Sequence, residues 1–413
     1  MKEKKVLVVA GGGAAGFFGA INAAAFCPEL KVIILEKTHK LLSKVRISGG
    51  GRCNVTHACY DNKLLSDNYP RGRRELRSVL QNFGPQQLTE WFAQRKIILK
   101  TEEDGRMFPS SNNSETIIQC YLREAEKYHV DIRTGVGVAS FEKNEKFVLS
   151  LTDKTALSCD YLLVTTGGSS APKNYEWITQ SSGHKITAPL PSLFTFNIPD
   201  SPLNGLEGVA VVNAKVSLSG IKQNVTGPVL ITHWGVSGPA VIRLSAWAAR
   251  ELFELGYNCV VRINFFPEEN AETLKQKFIS ERTLSPNQTI QHLLHSLPQR
   301  LRQRICDLVN ISMHNSLGNI SNSQINVLAN KLTSFELMMK GKTTFKEEFV
   351  TSGGVSLKEV NMQNMESKLV NNLFFAGEVL DIDGITGGFN FQAAWSTSMA
   401  AAQTISGRCK QKL

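Results

Sequence analysis

Residues 5–16 read K-V-L-V-V-A-G-G-G-A-A-G. The apolar, β-branched run Lys5–Ala10 predicts a buried strand. The segment Ala14–Ala25 is small and apolar and predicts a tightly packed helix, while Lys31–Glu36 predicts a second buried strand. Strand, glycine turn, helix and strand in this order form a βαβ unit, which predicts an α/β fold with a Rossmann-like domain.

The glycines of this stretch have the spacing of a dinucleotide-binding turn. Gly11-x-Gly13-x-x-Gly16 follows the first strand and opens the helix, and Glu36 lies 20 residues after Gly16 (36 − 16). Such glycines make the turn, admit a pyrophosphate and let helix and strand pack closely. The helix N-terminus attracts phosphates, and Glu36 can accept hydrogen bonds from a ribose. The alternative, a glycine-rich turn beside a surface glutamate, does not explain the full arrangement.

A distant stretch, Phe374–Trp395, predicts the other half of the same site. It reads as a strand, a Gly377-Glu378 turn and, after Gly387 and Gly388, a helix. The carboxylate can reach a ribityl or ribose hydroxyl, and the helix start can aim N–H groups at the N1–C2=O edge of a flavin. The sequence has no second G-x-G-x-x-G after a strand, so one FAD site is favoured over separate FAD and NAD(P)H domains. An ordinary C-terminal helix after a glycine turn is the alternative.

Residues 47–57 read I-S-G-G-G-R-C-N-V-T-H. Three glycines in an ordered loop indicate a steric need, and we interpret them as a strip along which the main chain passes close to the flavin. Polar side chains on both sides of the glycines can supply donors and acceptors. Cys53 and Cys59 have C-x5-C spacing without a redox motif, which disfavours a disulfide redox role. Partner ligands for a metal are missing from the stretch, so no metal site is predicted.

Nine blocks together resemble the bacterial BaiN/RdsA-like family of NAD(P)/FAD-dependent oxidoreductases, a flavoprotein family that includes aminoacetone-oxidase-type proteins. The blocks cover nearly the whole chain in the family's order. They are G-G-G-A-A-G at 11–16, S-G-G-G-R-C-N-V-T at 48–56, E-D-G-R-M-F-P-S at 103–110, T-T-G-G-S-S at 165–170, T-H-W-G-V-S-G-P-A at 232–240, V-T-S-G-G-V at 350–355, M-E-S-K-L-V at 365–370, F-F-A-G-E-V-L-D-I-D-G at 374–384 and T-G-G-F-N-F-Q-A-A-W at 386–395.

The resemblance implies roles for individual residues. Val138 is expected at the adenine through its backbone, Gly377, Glu378 and Asp381 along the ribityl–pyrophosphate region, and residues 388–391 near the flavin ring. The complete set expected to bind FAD is Gly11, Gly13, Ala14, Ala15, Gly16, Glu36, Lys37, Lys44, Ser48, Gly49, Gly50, Gly51, Arg52, Cys53, Asn54, Thr56, Val138, Thr166, Gly167, Gly377, Glu378, Asp381, Gly387, Gly388, Phe389, Asn390 and Phe391. The chain departs from the family pattern at His57, Phe389 and Phe391, which leaves the substrate open.

The resemblance also implies an FAD domain built from both chain ends, with an inserted β-barrel that carries a small helical subdomain. Independently, the pattern changes near Pro189 to short alternating runs that indicate an antiparallel barrel or sandwich. The predicted division is an FAD-binding domain at 1–188 and 351–413, a barrel at 189–266 and 335–350, and a helical insert at 267–334.

The predicted function is an FAD-dependent oxidoreductase whose small organic substrate lies between the flavin and the inserted domain. The flavin is reoxidised by O2 or linked to NAD(P)H, which would visit transiently. Since flavin carries the electron transfer, no catalytic side chain is required; His233 and Arg106 are the candidates, against structural or surface roles. Two alternatives stay open, namely a flavin-binding redox sensor or interaction protein without turnover and a flavin-dependent nucleic-acid-modifying enzyme.

The composition limits the partners and the compartment. The net charge is +10 and the pI about 9.1, which suits nucleic acid, a membrane surface, an anionic ligand or a generally basic surface. Because Arg71–Arg77 lacks interleaved aromatic residues, nucleic acid is not the expected partner.

Glycines interrupt the apolar N-terminus, and no apolar run is long enough to span a bilayer. The eight scattered cysteines suggest a reducing cytoplasm. The sequence leaves the oligomeric state undetermined.

Overall fold

The computed structural model describes residues 4–343 and 350–411. Its strands alternate with helices through the first part of the chain and cluster in the middle. In chain order the strands are β1 Val6–Ala10, β2 Lys31–Glu36, β3 Thr56–His57, β4 Leu99–Thr101, β5 Arg106–Pro109, β6 Asp131–Thr134, β7 Val138–Lys143, β8 Phe147–Leu151, β9 Ala156–Cys159, β10 Tyr161–Val164, β11 Ile186–Ser192, β12 Thr195–Asn197, β13 Ala210–Leu218, β14 Asn224–Thr232, β15 Gly235–Ser237, β16 Asn258–Asn264, β17 Phe335–Lys340, β18 Lys342–Thr343, β19 Val350–Val355, β20 Val360–Asn361, β21 Glu366–Ser367 and β22 Leu373–Phe375.

The α-helices include the predicted first and last helices of the cofactor domain. In chain order they are α1 Ala14–Phe26, α2 Ser43–Gly51, α3 Asn62–Ser66, α4 Leu76–Asn82, α5 Pro85–Ala93, α6 Glu115–Lys127, α7 Glu176–Ser182, α8 Pro239–Trp247, α9 Ala249–Glu254, α10 Ala271–Leu284, α11 Ile290–Leu293, α12 Gln299–Leu308, α13 Asn322–Thr333 and α14 Phe389–Gln411. Among the described residues, none of these helices is both long and apolar enough to cross a bilayer.

The chain forms two compact units. Unit 1 contains residues 1–192 and 346–413, and unit 2 contains residues 193–345. Unit 2 is therefore inserted into unit 1, which confirms the predicted α/β class with a domain formed by both chain ends and an inserted domain. The finer division at residues 189, 267 and 335 stays a prediction. Residues 344–349, part of the predicted barrel segment 335–350, lie outside the described residues.

Unit 1 is built on a sheet in the order β20-β21-β22-β10-β1-β2-β6. The strands from β22 to β6 pair in parallel, with Val8 of β1 opposite Leu162 of β10 and Ile33 of β2. The central strands are buried on both faces, which explains their continuous apolar runs. Since β22 comes from the end of the chain and pairs with β10, both chain ends belong to one sheet.

Helices α1 and α14 owe their position to small residues. A Cβ on Gly19 of α1 would lie 2.8 Å from Leu163 Cδ2 and 3.6 Å from Ser398 Cβ, so the helix touches both β10 and α14 at that point. On the neighbouring face, Phe18 packs at 4.7 Å from Trp91, whose indole Nε1 donates to Asn22 Oδ1 at 2.9 Å. This close packing holds the middle of α1 against the sheet and α14.

Unit 2 combines a sheet with helices. Its strands pair in the order β17-β16-β13-β14-β15-β12-β18, and each of these neighbouring pairs is antiparallel. Alternating side chains of these strands form one cluster of buried apolar residues with α10, α12 and α13. Phe265 and Phe335, for example, make an edge contact at 5.6 Å between ring centroids. The apolar positions of the alternating pattern, which predicted antiparallel strands, are thus the side chains that face this core.

Candidate cofactor site

The turn between β1 and α1 is shaped by three glycines with two different functions. A Cβ on Gly11 would lie 2.4 Å from the Thr165 carbonyl oxygen, and one on Gly16 would lie 1.9 Å from the Gly11 carbonyl oxygen. These two positions exclude any side chain because backbone meets backbone. Gly13 has φ −92°, which other residues adopt readily, and a Cβ built there meets nothing within 4 Å. The space in front of Gly13 is therefore a cradle that the chain leaves open.

The first turn of α1 faces this cradle with its backbone N–H groups. The helix begins at Ala14; Gly13, the N-cap, makes no side-chain capping hydrogen bond, and the first turn has no acidic residue. The amides of the first turn, those of Ala14 and Ala15 among them, lack partners within the helix and carry its partial positive charge. An uncapped helix start beside an open glycine cradle fits the pyrophosphate of a dinucleotide such as FAD.

Glu36 lies at the end of β2 and is held by backbone donors. Its Oε2 accepts from Gly12 N at 2.9 Å, and its Oε1 accepts from Thr38 N at 2.9 Å and from Thr38 Oγ1 at 2.8 Å. A carboxylate has about four acceptor positions, so Glu36 can still receive a ribose hydroxyl. The structure thus orients the acid that the spacing predicted.

Val138 and Lys37 come together although they are far apart in sequence. Val138 begins β7, and a Cβ on the preceding Gly137 would lie 3.0 Å from Lys37 Cβ. Backbone hydrogen bonds join the same loops, with Val136 N donating to Glu36 O at 3.1 Å. The start of β7 is therefore beside the end of β2, where the adenosine half of a dinucleotide would extend from Glu36.

The glycine strip turns out to be a left-handed turn at the end of α2. Ser48 leaves the helical region at φ −60°, ψ 147°, and Gly49, Gly50 and Gly51 follow at φ +57°, +68° and +81°. Three consecutive positive φ values strongly favour glycine. A Cβ on Gly49 would also lie 2.9 Å from Phe108 Cε1, whereas those on Gly50 and Gly51 meet nothing within 4 Å. Backbone conformation is therefore a reason for the glycines that the sequence argument did not include.

Arg52 and Arg106 belong to one charged cluster. Arg52 Nη1 contacts Glu102 Oε1 at 2.6 Å, and Arg106 Nη2 contacts Glu102 Oε2 at 3.1 Å. The Arg52 guanidinium also lies 4.0 Å above the Phe108 ring, and Arg106 Nε contacts Asp104 Oδ2 at 2.7 Å. Arg106, a candidate catalytic residue, is thus engaged by two carboxylates of its own hairpin.

Cys53 is inaccessible to solvent. Its side chain is fully buried, and burial raises the pKa of the thiol to about 12, although a hydrogen bond with Ser48 acts in the opposite direction. The thiolate is the nucleophile in redox and metal chemistry, and at neutral pH it is essentially absent here. Cys53 therefore packs the strip from inside, which agrees with the disfavoured redox role.

The strip is joined directly to the C-terminal segment. With the Asn54 amide oriented to satisfy its neighbours, its nitrogen donates to Thr56 O and its oxygen accepts from Gly388 N, both at 3.1 Å. A Cβ on Gly388 would lie 2.6 Å from Thr56 O. Thr56 Oγ1 donates to Gln392 Oε1 at 2.6 Å inside the protein. The two stretches that the sequence assigned separately to FAD are therefore one structure, and Gln392 is a connecting residue that the sequence analysis missed.

Gly377 brings the C-terminal strand to the first turn of α1. A Cβ on Gly377 would lie 2.8 Å from Ala15 Cβ, and its N–H donates to Thr397 Oγ1 at 3.0 Å. The next residue, Glu378, pairs with Lys44 at 2.6 Å and accepts from Thr351 N at 2.9 Å. Lys44 and Glu378, both in the predicted set, thus contact each other across the two chain ends.

The remaining members of the predicted set surround these contacts. Thr166 N lies 3.0 Å from a Cβ built on Gly11, and Gly167 continues that turn at φ +74°. Asp381 is half-buried, and its N–H donates to Val355 O at 3.0 Å. Asn390 exchanges hydrogen bonds with both the N–H and the carbonyl of Gly384, at 2.8 and 2.9 Å.

Aromatic side chains line the start of α14. Phe389 stacks on His57 with ring centroids 5.0 Å apart, and its carbonyl accepts from Tyr69 Oη at 2.7 Å. A Cβ on Gly387 would lie 2.6 Å from the Phe389 ring. Phe391 stacks on Trp395 at 5.3 Å. His57, noted in the sequence only as a departure from the family pattern, therefore contacts the segment expected near the flavin ring.

A buried ion pair anchors the loop before α14. Arg71 makes a bidentate contact with Asp383, which is fully buried and also accepts from Ser192 Oγ at 2.9 Å. Burial outweighs Arg71 and raises the pKa of Asp383. Sequence reasoning treated Arg71 only as part of a basic stretch, because nothing local marks a partner 312 residues away.

His233, the other candidate catalytic residue, lies in unit 2. It is exposed in the turn between β14 and β15, next to Trp234, which is 60% exposed. It influences Glu207, whose pKa is lowered chiefly by hydrogen bonds with the Gly205 and Glu207 amides and only slightly by His233. A catalytic role for His233 stays a prediction. Among the described residues, no group of His, Cys, Asp and Glu has the arrangement of a metal site.

The parallel sheet, the open cradle at α1 and the C-terminal segment seated on it define the class of the protein, one with a Rossmann-type dinucleotide-binding domain. The chain belongs to the family described as HI0933-like protein Rossmann domain, whose model matches residues 4–404. This confirms the resemblance found in the sequence blocks.

Two relatives are similar over nearly the whole chain. A 3-dehydro-bile acid delta(4,6)-reductase of Clostridium scindens is 28% identical to this chain, and the alignment covers 97% of this chain and 98% of the relative. A ribosomal RNA dihydrouridine synthase of Escherichia coli is 30% identical and covers 98% of both chains. A solved structure, the 3-ketosteroid delta1-dehydrogenase of Sterolibacterium denitrificans, is similar in fold, with a TM-score of 0.52, 11% identity and coverage of 98% of this chain and 99% of that one.

Proposed function

We propose that the residues joined around the α1 turn, the glycine strip and the start of α14 hold FAD. The open space in front of Gly13 carries this proposal, because it lies at an uncapped helix start where a phosphate is favoured. Glu36 would receive the ribose, Glu378 and Asp381 the ribityl–pyrophosphate region, and residues 388–391 the ring. When bound, FAD supplies hydride and electron transfer; the protein's own residues bind, orient and desolvate it.

We propose further that the reaction is the reduction of a carbon–carbon double bond conjugated to a carbonyl group. The two relatives act on very different molecules, yet both names describe the addition of hydrogen to such a bond, in a 3-oxo steroid acid and in the uracil base. A shared reaction with different substrates is expected when the FAD site is common and the substrate contacts vary. The preferred substrate class is a small cyclic unsaturated ketone or acid.

NAD(P)H is the proposed electron donor, since a reductase must receive two electrons that O2 does not provide. The overall reaction consumes one NAD(P)H and one proton and leaves NAD(P)+ and the saturated product. Stopped-flow mixing of the yellow protein with NADPH or NADH under nitrogen tests the donor. We expect at least one of them to bleach the flavin absorbance, and subsequent addition of a cyclic enone to restore it. A flavin that neither nucleotide bleaches would exclude the nicotinamide-linked reaction.

A second candidate substrate is a uridine within RNA. Two observations favour it, the 30% identity to the Escherichia coli relative and the net charge of +10, which suits a phosphate backbone. It corresponds to the flavin-dependent nucleic-acid-modifying enzyme that the sequence left open as an alternative, although nucleic acid was not the expected partner. Incubating the NADPH-reduced protein with ribosomal RNA from cells that lack the enzyme, followed by nucleoside analysis, distinguishes the candidates. Dihydrouridine formation supports RNA, whereas reoxidation by enones alone supports the small molecule.

A further inference from the structure

A cavity in unit 1, apart from the cradle at Gly13, has a strongly basic lining. It has a volume of about 580 Å3 and lies between the C-terminal ends of α5 and α6. Four cationic side chains, those of Arg95, Lys96, Arg123 and Lys127, line it together with one carboxylate, Glu124. We name it the α5–α6 cavity. Nothing in the FAD proposal uses these residues.

Arg95 forms a rigid wall of the α5–α6 cavity. Its guanidinium lies 3.6 Å above the Trp91 ring, its Nη1 donates to Trp91 O at 3.0 Å, and its Nε contacts Glu124 Oε2 at 2.8 Å. The side chains of Arg95 and Glu124 are only 12% and 6% exposed. Glu124 is therefore committed to Arg95, and it does not neutralise the other cations.

Three positive charges are left over in the concave surface. Lys96, Arg123 and Lys127 are exposed residues that line the cavity. Arg123 Nη2 donates to Arg95 O at 3.3 Å, and Lys127 Nζ lies 5.0 Å from the Tyr128 ring. Like charges that converge on a concave surface raise the local concentration of anions. A multivalent anion would remove their mutual repulsion.

Stabilisation of helix C-termini is the competing explanation for these cations. It accounts for Arg95, which donates to a carbonyl in the last turn of α5, and for Arg123, which donates to the Arg95 carbonyl just after that helix. It accounts partly for Lys127 in the last turn of α6. It does not account for Lys96, which follows the helix in a left-handed conformation with φ +62°. The positive charge that helix capping does not explain is the observation that points to a ligand.

The α5–α6 cavity is separate from the proposed FAD site. Helix α6 begins beside the glycine strip, where Ser114 N donates to Gly51 O at 2.9 Å. The helix has 13 residues and is therefore about 20 Å long. The cavity lies at the far end of α6, just before β6 begins. It is therefore at the N-terminal end of the parallel strands, opposite the turn between β1 and α1.

We propose that the α5–α6 cavity binds the phosphate groups of a polyanionic ligand. Lys96, Arg123 and Lys127 would contact the phosphate oxygens, while Arg95 and Glu124 keep the wall in place. The phosphates come either from a free polyphosphate or nucleotide or from an RNA backbone, since both present the same oxygens.

The first test is calorimetric titration of the FAD-loaded protein with inorganic tripolyphosphate at low salt. We expect binding that weakens at least tenfold in the Lys96→Gln/Lys127→Gln variant. A charge-matched control, Lys222→Gln/Lys358→Gln, removes two exposed lysines elsewhere and should retain binding within about twofold, because screened distant charges contribute little. Equal weakening in both variants, or no binding by the unaltered protein, would overturn the proposal and leave helix capping as the explanation.

A second measurement identifies the source of the phosphate. The affinity for an RNA hairpin is measured against salt concentration for the same two variants. If RNA occupies the cavity, the slope of log affinity against log salt should fall by about 1–2 in the Lys96→Gln/Lys127→Gln variant, since each lost phosphate contact contributes roughly 0.7–0.9. If the slope is unchanged while tripolyphosphate binding is lost, the ligand is a free phosphate compound.

Discussion

Glycine has three distinct uses in the proposed FAD site. Gly16 allows backbone contact that a Cβ would block at 1.9 Å, the 49–51 run supplies positive φ values, and Gly13 leaves a space that the protein does not fill. Only the last use is explained by a ligand alone. The sequence pattern predicted all of these glycines at the cofactor but could not separate the three uses, since that requires the positions of Thr165 and Phe108.

Cys53→Ser tests whether the buried thiol is needed for FAD binding. Because burial raises the pKa of Cys53 to about 12, the thiol has no thiolate to contribute at neutral pH, and the serine hydroxyl can keep the contact with Ser48. We expect the purified variant to retain its flavin absorbance. In the unaltered protein, we expect iodoacetamide under native conditions to leave Cys53 unmodified. A colourless but folded variant would contradict this view of the residue.

Long-range contacts join the elements of the site. The βαβ unit and the final helix were predictable from buried apolar runs and glycine signals. The contacts of Asn54 with Gly388 and of Thr56 with Gln392 were not, because they connect residues more than 330 positions apart. Each of these side chains looks like an ordinary polar residue in its own neighbourhood.

Thr56→Val tests the junction between the strip and α14. The substitution keeps the shape of the side chain but leaves Gln392 Oε1 without its 2.6 Å donor in a fully buried place. A buried acceptor without a partner costs roughly 1–3 kcal/mol. We expect a lower midpoint of denaturant unfolding and weaker FAD retention. Thr89→Val, which removes a partly buried bond within α5, serves as a control that should keep FAD.

His184 makes the stability of unit 1 depend on pH. It is fully buried, hydrogen-bonded to Ser182 and Ser367, and burial lowers its pKa in the folded protein. Because the pKa of His184 is lower in the folded than in the unfolded state, protonation favours unfolding. The contribution of His184 to the free energy of unfolding is therefore fully present above the unfolded pKa of about 6.5 and declines as the pH falls below it. In His184→Gln the loss of Tm between about pH 7 and 5 should be smaller. An unchanged pH dependence would assign the effect to other groups.

At the scale of the whole molecule, both chain ends contribute strands to one sheet and residues to the proposed FAD site. β1 and β2 come from the first forty residues and β22 from the last forty-five, yet they lie within one parallel sheet. Composition and pattern predicted this organisation with the help of the family resemblance. They left the substrate open, because the substrate contacts of a flavoenzyme have no fixed sequence pattern.

Removal of FAD should destabilise the protein, since a ligand that binds only the folded state stabilises it by mass action. At a free FAD concentration of about 100 Kd the effect is roughly 2.7 kcal/mol. For a unit of this size we expect the apo-protein to unfold several degrees lower in a thermal scan and to regain its Tm when FAD is added. Identical midpoints with and without FAD would mean that the cofactor does not contact the folded core.

The most direct test of the account is the Kd for FAD of apo-protein with Gly13→Val, measured by flavin fluorescence. The backbone conformation suits valine, and a Cβ at this position meets no protein atom within 4 Å, so the apo-protein should unfold at nearly the same temperature. The valine fills the cradle, however, and FAD binding should weaken by at least about 100-fold, or ~2.7 kcal/mol. Gly407→Ala in α14, also free of close neighbours, should bind FAD normally. Unchanged affinity in Gly13→Val would contradict the proposed FAD site.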